Sequence, residues 1–83
     1  MRMKPQSMKI GKLYLVGWED AASAGGWHRP ADEFESTMCE TVGWVVEMDD
    51  AHVLLANSKN EAGQQGGLWY IPLGMLRTAK LLT

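Results

Sequence analysis

A mainly β fold, a curled sheet of five short strands, is predicted by three observations. Apolar residues recur at a period of two in the best-defined segments, Val42, Trp44, Val46 and Met48, then Val53 and Leu55. Turn-forming breaks at Asp49-Asp50-Ala51, across residues 57–67 and at Pro72-Leu73-Gly74 leave runs of strand length between them. The large side chains are those that suit a pleated surface, with four Trp and two Tyr in 83 residues.

Residues 1–9, which include Pro5, read as a flexible basic leader to a single domain over 10–83. In residues 13–18 both parities are apolar, as in a strand covered on both sides or serving two sides of a curled sheet. Residues 21–40 form a long loop. Within it 31–39 can also make a short helix, with Asp32 as cap, Glu35 three residues on, and Phe34 and Met38 on one face.

Residues 41–48 are the clearest strand, with Val42, Trp44 and Val46 predicted on the buried face. They pair back through a turn at 49–51 onto 52–57, the carboxylates of the turn accepting backbone hydrogen bonds. Residues 57–67, with Gly63, Gly66 and Gly67, read as a mobile loop, and 68–71 as a strand stopped by Pro72. Residues 75–82 suit a strand or a helix by periodicity, and the proline turn before them favours the strand.

Composition excludes several classes of function. The longest apolar run falls far short of the ~20 residues that cross a bilayer, so no membrane partner is expected. Cys39 is the only cysteine, which rules out an internal disulfide and fits a cytoplasmic setting. Charge is unevenly spread. Arg2, Lys4, Lys9 and Lys12 open the chain, whereas residues 13–58 set nine acidic groups against Arg29. That acidic middle would repel a phosphate backbone.

Chemistry-bearing groups are sparse. Cys39, His28 and His52 lack the third orienting group and oxyanion site of a nucleophilic enzyme. They also lack the paired close ligands of a structural zinc site. Neither Gly25-Gly26 nor 63–67 has the context of a phosphate loop. The chain is therefore read as non-enzymatic and without a cofactor.

In order and spacing, residues 10–82 resemble the SH3-like barrel class. There a long loop follows the first strand, two hairpin-linked strands come next, and a short 3-10 turn precedes the last. Trp69-Tyr70-Ile71-Pro72-Leu73-Gly74-Met75 is similar to its strand–proline–turn arrangement. The runs at 41–50, 67–75 and 15–20 resemble short uncharacterised proteins of tailed bacteriophages and prophages. That resemblance implies a phage accessory protein acting in the cytoplasm of a bacterial host, and it carries no catalytic residue over.

The leading functional expectation is a protein-binding module, with a bacterial host protein or a second copy of the chain as partner. Its predicted surface is Trp27, His28 and Arg29, with Glu33, Glu35 and Tyr70 beside them. Trp27 either anchors the partner or folds back to cap the barrel. The alternative is nucleic-acid binding through Arg2, Lys4, Lys9, Lys12, Arg77 and Lys80, with exposed aromatics for base stacking.

Overall fold

Two β-bulges and one long shared strand shape this chain. In a computed structural model, residues 2–3, 7–20 and 36–83 are described, the first pair by backbone alone. The strands are β1 (Arg2–Met3), β2 (Leu13–Asp20), β3 (Thr37–Met48), β4 (His52–Lys59), β5 (Gln65–Pro72) and β6 (Leu76–Leu81). A 3-10 turn, Leu73–Met75, joins β5 to β6. All pairings are antiparallel, and the sheet order is β1-β6-β2-β3-β4-β5. Five main strands thus form the sheet, and the two-residue β1 adds at one edge.

β3 is the pivot. Its residues from Thr37 to Trp44 pair with β2, and those from Trp44 to Met48 pair with β4, so the ladder changes partner at Trp44. The curl buries one side of the sheet around Tyr14, Val16, Val45, Val53, Leu55, Ile71, Leu76 and Ala79. The hairpin predicted between 41–48 and 52–57 is present, with Val45 opposite Leu55 and Met48 opposite Val53. Its turn is built as the carboxylate chemistry requires. Asp49 Oδ1 accepts the amides of Ala51 and His52, each at 2.7 Å.

The buried face of β3 is the opposite of the one predicted. Thr41, Gly43 and Val45 point inward, while Val42 is 44% exposed and Trp44 and Val46 are half-buried. Gly43 decides this. A Cβ there would lie 3.0 Å from the Ala56 carbonyl oxygen and 3.1 Å from Leu55 Cβ, so the bare glycine lets β4 close over that face. Val46 is then the extra residue of a bulge between Val45 and Glu47, which returns half-buried Met48 to the core side and leaves Glu47 exposed. Trp44 lies outside the core, with Lys59 Nζ 4.5 Å from its ring centre.

Three further expectations change. A short helix over 31–39 does not survive at its end, because Thr37, Met38 and Cys39 are in β3; residues 31–35 lie outside the described part. The polar stretch 57–67 is a tight hairpin rather than a mobile loop. Asn60 Oδ1 accepts the amides of Ala62 and Gln64, the Gln64 carbonyl accepts the Asn60 amide, and Gly63 takes a φ of +81°. The leader is tied down at two places: Arg2 and Met3 pair with Lys80 and Ala79, and Met8 is buried in the core. Lys9 N–H donates to the Tyr14 hydroxyl at 2.8 Å, which satisfies the one polar atom of the largest buried side chain.

For the last segment the strand is observed. Pro72 precedes the 3-10 turn, Leu76 enters the core, and β6 pairs with β2. A second bulge makes Arg77 the extra residue between Thr78, opposite Gly17, and Leu76, opposite Trp18.

Candidate functional site: an acidic and aromatic cleft beside the β3–β4 turn

Of the surface residues predicted for protein binding, the structure describes Tyr70. Trp27, His28, Arg29, Glu33 and Glu35 lie outside the described residues. Tyr70 is 59% exposed on β5 and stacks on His52, the first residue of β4, with ring centres 4.4 Å apart and planes 10° from parallel. The register explains the meeting. Leu54 faces Tyr70 and His52 faces Pro72, so the two rings are diagonal neighbours on one face of a β pair.

The same face carries negative charge. Glu47 is opposite Leu54, and Leu54 is opposite Tyr70, so Glu47, Leu54 and Tyr70 form one row across β3, β4 and β5. Two strand spacings put their backbones roughly 10 Å apart. Among the described residues Glu47 takes part in no ion pair. Asp49 follows two residues on in the turn, and the amides of Ala51 and His52 hold its carboxyl below the usual carboxylate range. Its Oδ1 lies 3.9 Å from His52 Nδ1. Ile10, Glu47, Met48, Asp49, His52 and Tyr70 line a cleft of about 330 Å³. Its walls are two carboxylates and a stacked ring pair, and its apolar lining is Ile10 and Met48.

Such a cleft suits a flat or compact cation on an apolar stem. A guanidinium or ammonium over the Tyr70 ring gains about 0.5–1 kcal/mol at an exposed site. Pairing with an exposed carboxylate adds roughly 0.2–1 kcal/mol. Both are small, so one cation in one cleft binds weakly, and a useful affinity needs further contacts along the partner.

The predicted cations divide into two places. Arg2 and Lys80 are register partners, and Lys9 and Lys12 flank the turn that leads into β2. Arg77 stands apart: its Nε donates to Glu19 Oε1 at 3.0 Å, and its Nη1 donates to the carbonyls of Gly74 and Leu76. Ser36 donates its hydroxyl to the other oxygen of Glu19, and Ser36 and Arg77 together lower the Glu19 pKa. Arg77 is therefore a structural clamp on the bulge and the 3-10 turn. Lys4 lies outside the described residues.

Sequence reasoning missed Ile10, Glu47 and Asp49 as members of a site and weighed His52 only as a catalytic or zinc-binding residue. A register spanning three strands and a bulge brings Glu47, His52 and Tyr70 together, while Ile10 arrives through the turn whose Gly11 N–H donates to the Val45 carbonyl, and residue spacing displays neither. Asp49 had one visible signal, a carboxylate at the mouth of a tight turn. Among the described residues no group of three or more His, Cys, Asp or Glu is placed to hold a metal ion, and no helix is long and apolar enough to cross a membrane. Compared with protein-family models, with curated proteins and with solved structures, the chain gives no match.

Proposed function

We propose that this chain is a non-enzymatic protein-binding module on an SH3-like barrel, and that its cleft receives a basic side chain of a protein partner. The observation that carries the reading is the stacked His52–Tyr70 pair facing the carboxylates of Glu47 and Asp49. The barrel assignment draws support from the strand succession. A first strand leads through a long segment to two hairpins, then a 3-10 turn and a last strand that returns to the first. Contact between the indoles of Trp18 and Trp69, on strands two places removed from adjacency, fits the same closure. The setting we propose, a phage protein engaging a host protein in the bacterial cytoplasm, rests on the resemblance of 41–50 and 67–75 to phage and prophage proteins.

Capture from bacterial lysate, run with and without nuclease, tests this reading. A protein retained after nuclease treatment by the wild-type chain, and lost on folded Tyr70→Ala, is the expected result. Retention that ignores Tyr70 removes the cleft from the reading.

Nucleic-acid binding is the second reading, favoured by the register that sets Arg2 beside Lys80 near the Lys9–Lys12 turn. It requires that captured material vanish with nuclease, and that binding fall steeply with salt.

A further inference from the structure

β5 ends the row of strands, and none of its eight residues is charged. Leu68, Trp69 and Tyr70 stand exposed in succession along it. Edge strands are usually kept from pairing with one another by a lysine, an inward charge, an internal proline or a covering element. Among the described residues β5 has only Pro72, its final residue.

We propose that β5 is a homodimer interface, two copies joining β5 to β5 antiparallel about a two-fold axis. The strand suits a second copy because self-pairing brings β5 residues only against β5 residues, and a charge-free strand meets no like-charge repulsion there. Geometry restricts the register. On an edge strand only alternate residues direct N–H and C=O outward, and outward residues pair with outward residues. The axis therefore passes through a residue and not between two. An axis at Trp69 sets Tyr70 against Leu68 of the second copy and Ile71 against Gly67, matching large residues with apolar or small ones.

The dimer has a consequence for the cleft, and this part rests on the cation reading above. With the axis at Trp69 both Tyr70 residues share one face, their backbones roughly 8 Å apart by strand rise and spacing. Two weak clefts side by side let a segment with two basic residues bind twice, and linkage of the two contacts raises the overall affinity without new chemistry.

Sedimentation of the full chain from ~10 μM to ~1 mM tests the interface. The wild type shifts from the 9.2 kDa monomer to twice that mass. Leu68→Lys and Leu68→Glu each stay monomeric, and their equimolar mixture recovers the dimer, because residue 68 of one copy lies diagonal to residue 68 of the other. A wild type monomeric throughout, a Leu68→Lys chain that dimerises like wild type, or a mixture that stays monomeric overturns the proposal. Should the variants fail to fold, isotope-filtered NOEs on the wild type decide. Tyr70-to-Leu68 contacts between copies support the interface, and their absence at 1 mM rejects it. No peptide enters either measurement, so loss of the dimer and loss of cation binding remain separately visible.

Discussion

The indole rings of Trp18 and Trp69 lie 6.2 Å apart, tilted by 52°, although β3 and β4 separate their strands in the sheet. A flat sheet would hold β2 and β5 roughly 14 Å apart. The contact therefore measures the curl. Each indole is also anchored: Trp18 Nε1 donates to the buried Thr41 hydroxyl at 3.0 Å, and Trp69 Nε1 donates to Asn57 Oδ1 at 2.9 Å. Asn57 in turn donates its amide to the Val42 carbonyl, near where β3 and β4 part.

The pair should be coupled. Trp18→Ala removes a half-buried ring packed on the core and leaves the Thr41 hydroxyl without its donor, for a loss of about 3 kcal/mol. Trp69→Phe keeps the ring contact and loses the bond to Asn57, for about 1 kcal/mol. A double-mutant cycle with Trp18→Ala and Trp69→Ala in urea should return a coupling of roughly 0.5–1.5 kcal/mol. Additive effects would remove the curl contact from the account.

The inverted face of β3 gives a second prediction. Val45→Ala, at a buried site, should cost roughly 2 kcal/mol, while Val42→Ala, at an exposed one, should cost no more than about 0.5 kcal/mol. Denaturation midpoints of the two variants compared at constant slope settle the order. Had the predicted face been correct, the order would be reversed.

Much of the fold was legible for physical reasons local to the chain. Alternation on both sides of Asp49-Asp50 specified the β3–β4 hairpin, and Pro72 before Leu73-Gly74 specified the turn into β6. The inward face of β3 was hidden because residue size pointed the wrong way. Trp44 and two valines outweigh Thr41 and Gly43 by hydrophobicity, yet the space left by Gly43 is what admits β4. The 60–64 turn looked like a loop because its order comes from Asn60 bonding its own backbone neighbours, not from apolar pattern. Tyr70 was chosen from sequence, but its carboxylate and His52 companions depend on register.

Gly17 supplies a third prediction. An added Cβ would stand 2.5 Å from Thr78 Oγ1, its register partner on β6. Gly17→Ala should lower stability by about 1–3 kcal/mol through overpacking, and Thr78→Gly in the same chain should recover part of that loss. Thermal midpoints of the single and double variants give the comparison. A double variant no better than the Gly17→Ala chain would place the strain elsewhere.

Acid should weaken the fold through Glu19 and Asp49. Both pKa values are lowered in the folded chain, Glu19 by Ser36 and then Arg77, Asp49 by the amides of Ala51 and His52. A lowered carboxyl contributes stability above its unfolded value, and loses it as pH falls through the folded one. The ordinary values are 4.5 for Glu19 and 3.8 for Asp49. The thermal midpoint should therefore hold steady above about pH 5 and fall below it. Asp49→Asn together with Glu19→Gln should flatten that acid limb, and an unchanged limb would show that other groups carry it.

Cation binding in the cleft can be read residue by residue in a titration followed by NMR. Labelled wild-type chain, at a concentration low enough to be monomeric, is titrated with a short alternating alanine–arginine peptide. A second titration uses the citrulline counterpart, which keeps the shape and removes the charge. Shifts centred on Glu47, Asp49, His52 and Tyr70 are expected with arginine, with at least about tenfold weaker binding of citrulline and loss of the arginine response in folded Tyr70→Ala and Glu47→Gln. Equal binding of both peptides, or arginine shifts that leave those four residues unmoved, would contradict it.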